Sequence, residues 1–496
     1  MTSPASRRST RTGAAAAFLA LLLSGCAVGP DATSTDIALP AHWQRGGDGR
    51  SVTPEALGEW WRDFRDPQLD SLVARAVEGN LDVASAKAKI REARALRREA
   101  VGGLLPSLDA SATALRRQTA GKPTVVSDLF QGGLDASWEI DLFGANARGV
   151  EAATANTAAT RDDLDAVLLT LVGDVTATYV EVRGTQARIG LAERTARSQR
   201  QTAALTRSKF EAGSASAVDT AKAEATAATT EAGIPSLQTT LAQSVHRLSI
   251  LTGQAPGALA GELRRDGAIP SPRRALPKGI PADVLHNRPD VRAAERRLAA
   301  YTAKLGVAEA ALYPSISLTG AISTSATRLG DLGRASTIAW SWGPSITLPI
   351  FRGGTLVAAR DAAAAVRDEF LLAWRSAVLT SLEDVENALV ALADERVRAR
   401  RLGSATDNSR RAATLSRALY QSGSASFLDV LDAERSLYTA EDALLLSRMT
   451  IATDHIALAK ALGGGWRRPV DTVTPAVVDV DTGPHLAAPV VAPTEL

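Results

Sequence analysis

Two long tracts of the sequence lack proline and repeat apolar residues at heptad spacing. Residues 124–234 and 350–468 contain no proline. Within them, apolar residues step by four and three, as at Leu164, Leu168, Leu171 and Val175, and at Val378, Leu382, Val385, Leu389 and Leu392. This spacing is typical of coiled-coil seams. A helix from Ala145 to Ala212 would extend about 100 Å, so the chain cannot fold into one compact domain.

The same turn sequence interrupts both tracts. FEAGSASAVDTAKAE begins at Phe210, and YQSGSASFLDVLDAE begins 210 residues later at Tyr420. Glycine accepts the left-handed conformation that ends a helix, and the serines that follow it can cap the next helix. Each GSAS is therefore predicted to form the tip of a long helical hairpin.

The duplication extends over most of the chain. NLDVASAKAKI matches RPDVRAAERRL, and LLPSL matches LYPSI, with an offset of 208 residues, as from Pro106 to Pro314. Phe143 and Phe351 match at the same offset. A period this long indicates duplication of a large unit, because solenoid repeats have periods of about 20–50 residues. The predicted organisation is a first repeat at 67–254, a proline-rich linker at 255–287 and a second repeat at 288–466.

Each repeat begins with a helical stretch and continues with two β-like runs. The helical stretches, Gln68–Val101 and Pro289–Ala311, precede a proline that prevents their continuation. In the first repeat, apolar residues then alternate with polar ones at Leu134, Ala136, Trp138, Ile140 and Leu142. This period of two predicts strands with one apolar and one polar face.

Four strands in one chain leave two open edges. Such edges cannot face lipid, because each unpaired backbone group there costs several kcal/mol. Two chains would give eight strands and a filled barrel, whereas three chains would give twelve strands around a lumen. If the strands cross a membrane, closure favours a homotrimer. Trp138, Trp340 and Trp342 lie on these runs and are predicted to form a membrane-interface belt, or alternatively to pack at the strand–helix junction.

The N-terminus has the pattern of a processed export signal. A positively charged segment precedes an apolar core of ten residues, too short for a spanning helix. The following LSGC resembles a bacterial lipobox, which implies lipidation of Cys26, the only cysteine. The alternative is an ordinary signal peptide that contains a cysteine. The predicted segments are a signal peptide at 1–25, a lipid-bearing extended arm at 26–66 and a disordered tail at 467–496.

Composition and motif content argue against several classes of function. The formal net charge is only +2, and no basic run with interleaved aromatic residues predicts binding to nucleic acid. The five histidines are scattered without metal-ligand spacing, and the sequence contains neither a Walker A loop nor a GxSxG elbow. We therefore expect no catalytic residue, no metal and no cofactor other than the lipid on Cys26.

Motifs distributed along nearly the whole mature chain carry a family resemblance. They are SGCAVGP at 24–30, WWRDFRDPQLDSLVARAVEGNLDV at 60–83, NRPDV at 287–291, LYPSISL at 312–318, FRGG at 351–354, both tip turns, and ALGGGW at 461–466. In this order and spacing they resemble the outer-membrane efflux proteins, the TolC-like channel-tunnels. Within that family, the chain is similar to the lipoprotein outer-membrane factors of RND-type multidrug pumps.

The resemblance implies an α+β membrane protein that acts as a passive conduit for drugs or other small molecules. Long helical hairpins would form a periplasmic tunnel, and four strands per chain would complete a twelve-stranded β-barrel in a homotrimer. A periplasmic adaptor protein and an inner-membrane transporter are the implied partners, together with outer-membrane lipid. Ala27, in place of an aspartate after the lipidated cysteine, favours an outer-membrane location with a large periplasmic portion.

The resemblance also implies a gate just past the second tip turn. Leu428, Asp432 and Arg435 share one helix face at i, i+4 and i+7. Leucine and aspartate rings at matching positions close the periplasmic end in the family, with Arg435 as a pairing residue; alternatively, Leu428 is hairpin core and Asp432–Arg435 an exposed pair. The first repeat has Val218, Lys222 and Ala225 at the corresponding positions. The tip residues expected to contact the adaptor are Gly213, Ser214, Val218, Asp219, Gly423, Ser424 and Asp429.

Two other functions remain open at the level of sequence. The same fold would serve a conduit for protein (type I) secretion, which the sequence does not distinguish from a drug-efflux channel. A lipid-anchored periplasmic coiled-coil scaffold would share the lipobox and the long helices, although it would not need the four strands.

Overall fold

The computed structural model describes residues 27–32, 37–45, 51, 57–273, 275–466 and 468–475. The predicted signal peptide at 1–25, the lipidation site Cys26 and the C-terminal residues beyond 475 lie outside these ranges. None of the described helices combines the length and the hydropathy that crossing a membrane requires.

Both repeats contain the same elements in the same order. The first consists of α1 (Pro67–Gly79), α2 (Leu81–Gly102), β1 (Ser107–Thr119), β2 (Val125–Ile140), α3 (Ala145–Glu211) and α4 (Ala217–Leu251). The second consists of α5 (Val284–Asn287), which lies at the end of the segment predicted as linker, α6 (Pro289–Ala310), β3 (Ser315–Ala326), β4 (Ile338–Thr347), α7 (Thr355–Gln421) and α8 (Phe427–Ala461). Short 3-10 turns occupy Trp60–Phe64, Glu262–Arg264, Pro281–Asp283, Leu329–Asp331 and Ala335–Thr337.

The predicted helical hairpins are confirmed. The outgoing helices α3 and α7 have 67 residues each, and the returning helices α4 and α8 have 35 each. A helix of 67 residues is about 100 Å long. Helix α4 runs through Pro235 as one element. Equal lengths in the two repeats show that the duplication preserved the whole hairpin.

The helical stretch expected at Gln68–Val101 is two helices, with a break at Asn80. The Asn80 backbone is extended, and its side-chain oxygen accepts hydrogen bonds from the amides of Asp82 at 2.8 Å and Val83 at 3.2 Å. Its side-chain amide donates to the Leu251 carbonyl at 3.1 Å. Asn80 therefore caps α2 and also holds the end of α4 against this break.

The four strands form one antiparallel sheet in the order β1-β2-β3-β4. Strand β2 pairs with β3, so the sheet joins the two repeats; Trp138 lies opposite Leu318, for example. In all three strand pairs, even-numbered residues face even-numbered ones. The sheet adjoins the starts of α3 and α7, whereas the tip turns follow their ends about 100 Å away.

The main hydrophobic core lies where both repeats meet the segments that flank them. Trp61 stacks on Trp466 with ring centroids 5.5 Å apart, which joins the N- and C-terminal segments. The linker also contributes, because Leu259 and Leu263 are buried in this core. A second, smaller cluster, here called the tip core, joins the two hairpins near their turns: Ala203, Ala223, Tyr420, Phe427, Val430 and Leu431.

The described parts of the predicted arm and tail contact the body of the protein. Trp43 is buried, and its indole nitrogen donates to the Lys278 carbonyl at 3.0 Å. In the tail, Thr472 accepts hydrogen bonds from Arg94 on α2 through its carbonyl and its side chain, at 3.1 and 2.8 Å. Residues 476–496 lie outside the described part, so disorder there stays a prediction.

Candidate functional site

Both hairpin tips close with the same backbone hydrogen bonds. Gly213 and Gly423 are left-handed, with φ of 78° and 80°. The Ser214 amide donates to the Lys209 carbonyl at 2.7 Å, and the Ser424 amide donates to the Leu419 carbonyl at 2.8 Å. These bonds satisfy carbonyls that the helix end would otherwise leave unpaired. The predicted role of the glycine in each GSAS is confirmed.

The aspartates of both tips belong to capping boxes. The Ser216 hydroxyl accepts from the Asp219 amide at 3.1 Å, and the Ser426 hydroxyl accepts from the Asp429 amide at 3.3 Å. The Ser426 hydroxyl also donates to the Asp429 carboxylate at 2.7 Å, and this bond lowers the pKa of Asp429. Asp219 and Asp429 thus begin α4 and α8, and their contact with an adaptor stays a prediction.

The predicted gate residues share an exposed face of α8. Leu428, Asp432 and Arg435 are all exposed, whereas Val430 and Leu431 are buried in the tip core. The alternative that Leu428 is hairpin core is therefore wrong within the chain. Among the described residues, no ion pair joins Asp432 to Arg435. A leucine and a carboxylate therefore lie open to solvent or to another molecule.

The corresponding face of the first tip has a different chemistry. Val218, Lys222 and Ala225 are exposed on α4. Within the described part of the chain, Lys222 forms no ion pair with Asp432. The first tip thus presents a cation where the second presents an anion, as the sequences of the two turns predicted.

A buried carboxylate between the hairpins was missed by the sequence analysis. Glu434 on α8 is buried and accepts a hydrogen bond from Arg417 Nη2 on α7 at 2.7 Å. It also accepts from the Thr202 hydroxyl on α3 at 2.9 Å. Arg417 reaches the Ser198 hydroxyl at 2.7 Å. This cluster ties the second hairpin to the first close to the predicted gate.

The position of Glu434 relative to nearby apolar residues could have predicted its burial. Phe427, Val430, Leu431 and Glu434 fall at i, i+3, i+4 and i+7, the spacing of one helix face. Phe427, Val430 and Leu431 belong to the tip core. A glutamate on such a face needs a partner, and Arg417 supplies it.

The two faces of the sheet differ sharply in polarity. The even-numbered face is mainly apolar: Leu108, Ala110, Ala112, Ala114, Phe130, Leu134, Ala136, Trp138, Ile316, Leu318, Ile322, Ile338, Trp340, Trp342 and Ile346. The odd-numbered face is mainly polar: Ser107, Asp109, Ser111, Thr113, Arg117, Gln131, Asp135, Ser137, Glu139, Ser317, Thr319, Ser323, Ser341 and Ser345. Most of these side chains are exposed, so the described part of the chain leaves a large apolar surface uncovered.

The three predicted belt tryptophans all lie on the apolar face, but in two environments. Trp340 and Trp342 on β4 have exposed fractions of 70% and 74%. Trp138 on β2 is 38% exposed, and its indole nitrogen donates to the Leu104 carbonyl at 3.0 Å. The arrangement at Trp138 matches the strand–helix junction alternative, whereas Trp340 and Trp342 are open to a surrounding medium.

The start of the N-terminal arm contacts the junction between the sheet and the long helices. An aromatic contact between the two repeats lies beside it. Phe143 stacks on Tyr313 with centroids 4.9 Å apart. The Val28 amide donates to the Phe143 carbonyl at 3.2 Å. Arg148 is buried and donates to the carbonyls of Val28 and Gly29, both at 3.3 Å. Arg148 was also missed, because an arginine in the first turn of a long helix looks like a solvated charge.

Among the described histidines, His455 has an unusual environment. It is fully buried on α8, and neither ring nitrogen has a hydrogen-bond partner within the described residues. Its ring meets the edge of Phe64, with centroids 5.7 Å apart. Burial, with a smaller contribution from Arg396, lowers its pKa to about 4. Among the described residues, no three His, Cys, Asp or Glu side chains converge to hold a metal ion.

Comparison with known proteins identifies the family. The sequence model of the family described as outer membrane efflux protein matches residues 72–254 and 280–464, one segment in each half. The chain belongs to this family. The resemblance read from the motifs is thereby confirmed, and the family is one of transport components of the outer membrane.

Individual relatives match over almost their whole length. The chain is 38% identical to nodulation protein T of Rhizobium leguminosarum bv. trifolii over 456 residues, which covers 90% of this chain and 96% of that protein. It is 31% identical to the pyoverdine export outer membrane protein OpmQ of Pseudomonas aeruginosa over 457 residues, covering 90% of this chain and 95% of OpmQ. The structure of the outer-membrane channel OprN superimposes with a TM-score of 0.82 at 34% identity, covering 89% of this chain and 100% of that one. The fold is therefore that of the TolC-like channels.

Proposed function

We propose that three copies of this chain form the outer-membrane channel of a tripartite efflux system. The channel is a passive conduit that carries drugs or other small molecules from the periplasm to the exterior. Membership of the outer membrane efflux protein family supports this proposal. The observation that carries it is the four-stranded sheet with one apolar and one polar face, placed at the end of the molecule opposite the hairpin tips.

The sheet has the chemistry of a wall between lipid and water. Its apolar face carries Trp340 and Trp342, which the described residues leave largely exposed, and lipid is the medium that would cover such a face. Its polar face would line an aqueous lumen. Because β1 and β4 are open edges and lipid cannot satisfy unpaired backbone groups, the strands of three copies would close into a twelve-stranded barrel.

The hairpins would form the periplasmic tunnel, and the second tip its gate. With three-fold symmetry, the exposed Leu428 side chains would form an apolar constriction, and the Asp432 carboxylates would repel one another around the axis. A periplasmic adaptor protein and an inner-membrane transporter are the partners that would dock and open this end. OpmQ, whose name states pyoverdine export, supports an export role for its relative here.

A lipid on Cys26 would anchor the chain to the outer membrane beside the sheet. Cys26 lies outside the described residues, but the next residues dock at the start of α3, directly after β2. Several acyl chains on one cysteine hold a protein to a membrane firmly, whereas a single chain binds marginally. Mass spectrometry of the mature N-terminus tests this part: an unmodified chain that begins elsewhere would refute it.

The assembly is tested by the mass and the activity of the purified particle. Light scattering of the detergent-solubilised protein is expected to give three chains per particle, and the particle is expected to insert into planar bilayers. A stable monomer that inserts and conducts would overturn the closure argument.

A further inference from the structure

The charged side chains of the sheet and its turns are sorted along the strands. Within residues 107–140 and 315–347, all cations lie at the end of the sheet away from the long helices, here called the turn end: Arg116, Arg117, Lys122, Arg328 and Arg334. Asp128 and Asp331 are the carboxylates at the turn end, whereas Asp109, Asp135 and Glu139 lie nearer the helices. The turn end therefore carries a net positive charge, and the helix end carries a net negative charge.

The apolar face of the sheet stops just before the turn end. On β2, the even-numbered residues from Ile140 to Phe130 are apolar or glycine. This stretch extends about 33 Å along the strand. At the tilt of barrel strands it rises about 25 Å, the height of the apolar band of an outer-membrane barrel. The next even-numbered residue is Asp128, and its partner on β1 is Arg116. A sheet that spans lipid with this face places both charged side chains at the level of the lipid head groups.

Arg116 is only loosely paired with Asp128. Its Nε lies 3.6 Å from Asp128 Oδ1, and the two side chains are 76% and 42% exposed. This distance is longer than a hydrogen bond, so the N–H donors of the guanidinium stay open to another acceptor. No other ion pair of Arg116 occurs among the residues that the structure describes. The planar fork of a guanidinium matches a phosphate group, which can accept two parallel hydrogen bonds from it.

A second cation continues the same row across the sheet. Ala326 pairs with Phe130. Arg328 follows Ala326 by two residues with an extended backbone, and Asp128 precedes Phe130 by two. Arg328 is also exposed. Continuing the register thus places one cation on each side of Asp128, Arg116 on β1 and Arg328 after β3, which leaves a net positive charge just beyond the apolar face.

We infer that the turn end of the sheet binds the phosphate groups of outer-leaflet lipids, with Arg116 as the principal contact and Arg328 as the second. The surface fits a lipid rather than free phosphate, because Arg116 shares its face with the apolar residues that would meet the acyl chains. Arg117, the next residue, lies on the opposite, polar face and points away from the lipid. The inference rests on the channel proposed above and names a class of lipid that its wall would recognise.

Native mass spectrometry of bound lipid tests this contact. The detergent-solubilised protein is mixed with diphosphoryl lipid A or with phosphatidylcholine, which is zwitterionic. Wild type should prefer diphosphoryl lipid A, and Arg116→Gln should weaken that binding about fivefold, as expected for one cation at an anionic lipid surface. The matched control, Arg117→Gln, removes the same charge on the opposite face and should bind lipid A as wild type does. Arg328→Gln tests the second cation in the same way if Arg116→Gln disturbs folding.

The outcomes separate this inference from the proposed channel. Equal binding of the two lipids by wild type, or an equal loss in Arg116→Gln and Arg117→Gln, would overturn the lipid contact. Displacement of lipid A by an equal concentration of inorganic phosphate would also overturn it, because the site would then be one for free phosphate. In each of these cases a particle of three chains that conducts in bilayers leaves the proposed channel intact. If brominated lipid fails to quench Trp340 and Trp342, the sheet does not meet lipid and both are wrong.

Discussion

Arg148 Nη2 lies 2.7 Å from Asp31 Oδ1, and this ion pair fixes the N-terminal arm against the first turn of α3. The Arg148 side chain is buried, whereas that of Asp31 is open to solvent. Arg148 also binds Glu151 at 2.7 Å and the carbonyls of Val28 and Gly29. A side chain at Gly29 would come within 2.6 Å of Gly306 Cα, so the arm lies against bare backbone here. The start of the arm is therefore packed and hydrogen-bonded against the body of the protein.

Replacing Arg148 should release the arm, whereas replacing Asp31 should not. Arg148→Met removes the donors of two backbone carbonyls and is expected to destabilise the docked arm by about 1–3 kcal/mol. Asp31→Asn weakens one exposed ion pair, which contributes at most about 1 kcal/mol. Cleavage within residues 27–32 by proteinase K, which has broad specificity, should accelerate strongly in the first variant only, as mass spectrometry of the fragments will show. Equal rates in both variants would show that Arg148 does not hold the arm.

His455 should make the protein less stable as the pH falls below 6.5. Its pKa is about 4 in the fold and 6.5 in an unfolded chain, so the unfolded chain takes up a proton first. The contribution of His455 to the free energy of unfolding is therefore fully present above pH 6.5. It is lost as the pH falls from 6.5 to 4, by up to about 3 kcal/mol. Thermal unfolding of His455→Leu should lack this component. The exposed His246 provides the control: His246→Leu should keep the pH dependence, and a wild-type pH dependence in His455→Leu would contradict the assignment.

The serine caps should stabilise the first turns of α4 and α8 against local unfolding. Ser426→Ala removes the acceptor for the Asp429 amide and should cost about 1 kcal/mol at the start of α8, whereas Ser426→Gly should cost only a few tenths. Amide hydrogen exchange at residues 427–430 should accelerate in the alanine variant and remain near wild type in the glycine variant. The same order is expected for Ser216 and α4. Equal acceleration in both variants would mean that backbone freedom, not the cap, sets the opening rate.

The belt tryptophans should differ in how strongly brominated lipid quenches their fluorescence. Trp340 and Trp342 are open on the apolar face, whereas the indole of Trp138 is fixed to the Leu104 carbonyl. In brominated lipid, the quenched fraction should fall markedly in Trp340→Phe with Trp342→Phe and little in Trp138→Phe. If Trp138→Phe gives about half the fall of the double variant, all three rings lie at the same depth in lipid, which would contradict this prediction.

Much of this fold follows from sequence patterns that repeat over long distances. Heptad spacing and the absence of proline predicted α3 within one residue of its observed end, and GSAS marked both tips. The break at Asn80 was missed although its signal is local, because Gly79 ends α1 and the Asn80 side chain accepts from the Asp82 and Val83 amides. The apolar spacing continues through the break and masked this signal.

Residues of the candidate site that share one helix face could be predicted from the sequence. Contacts between the two hairpins could not. Leu428 and Asp432 share a face by spacing alone, and their exposure agrees with that prediction. Glu434 and Arg417 pair across the second hairpin, whereas their contacts with Ser198 and Thr202 on α3 exist only because the two hairpins pack together. Arg148 likewise depends on where the arm lies. In each case the missing information was tertiary, since an isolated charged residue in a helix is most often solvated.

The gate is tested most directly by single-channel conductance in planar bilayers. Leu428→Ala with Asp432→Ala removes the apolar constriction and the carboxylates from the second tip, and this double variant should conduct more than wild type. It should also admit vancomycin in cells. The matched control at the first tip, Val218→Ala with Lys222→Ala, should conduct as wild type does. If the Leu428 and Asp432 variant inserts as readily as wild type and its conductance is unchanged, these residues do not close the channel.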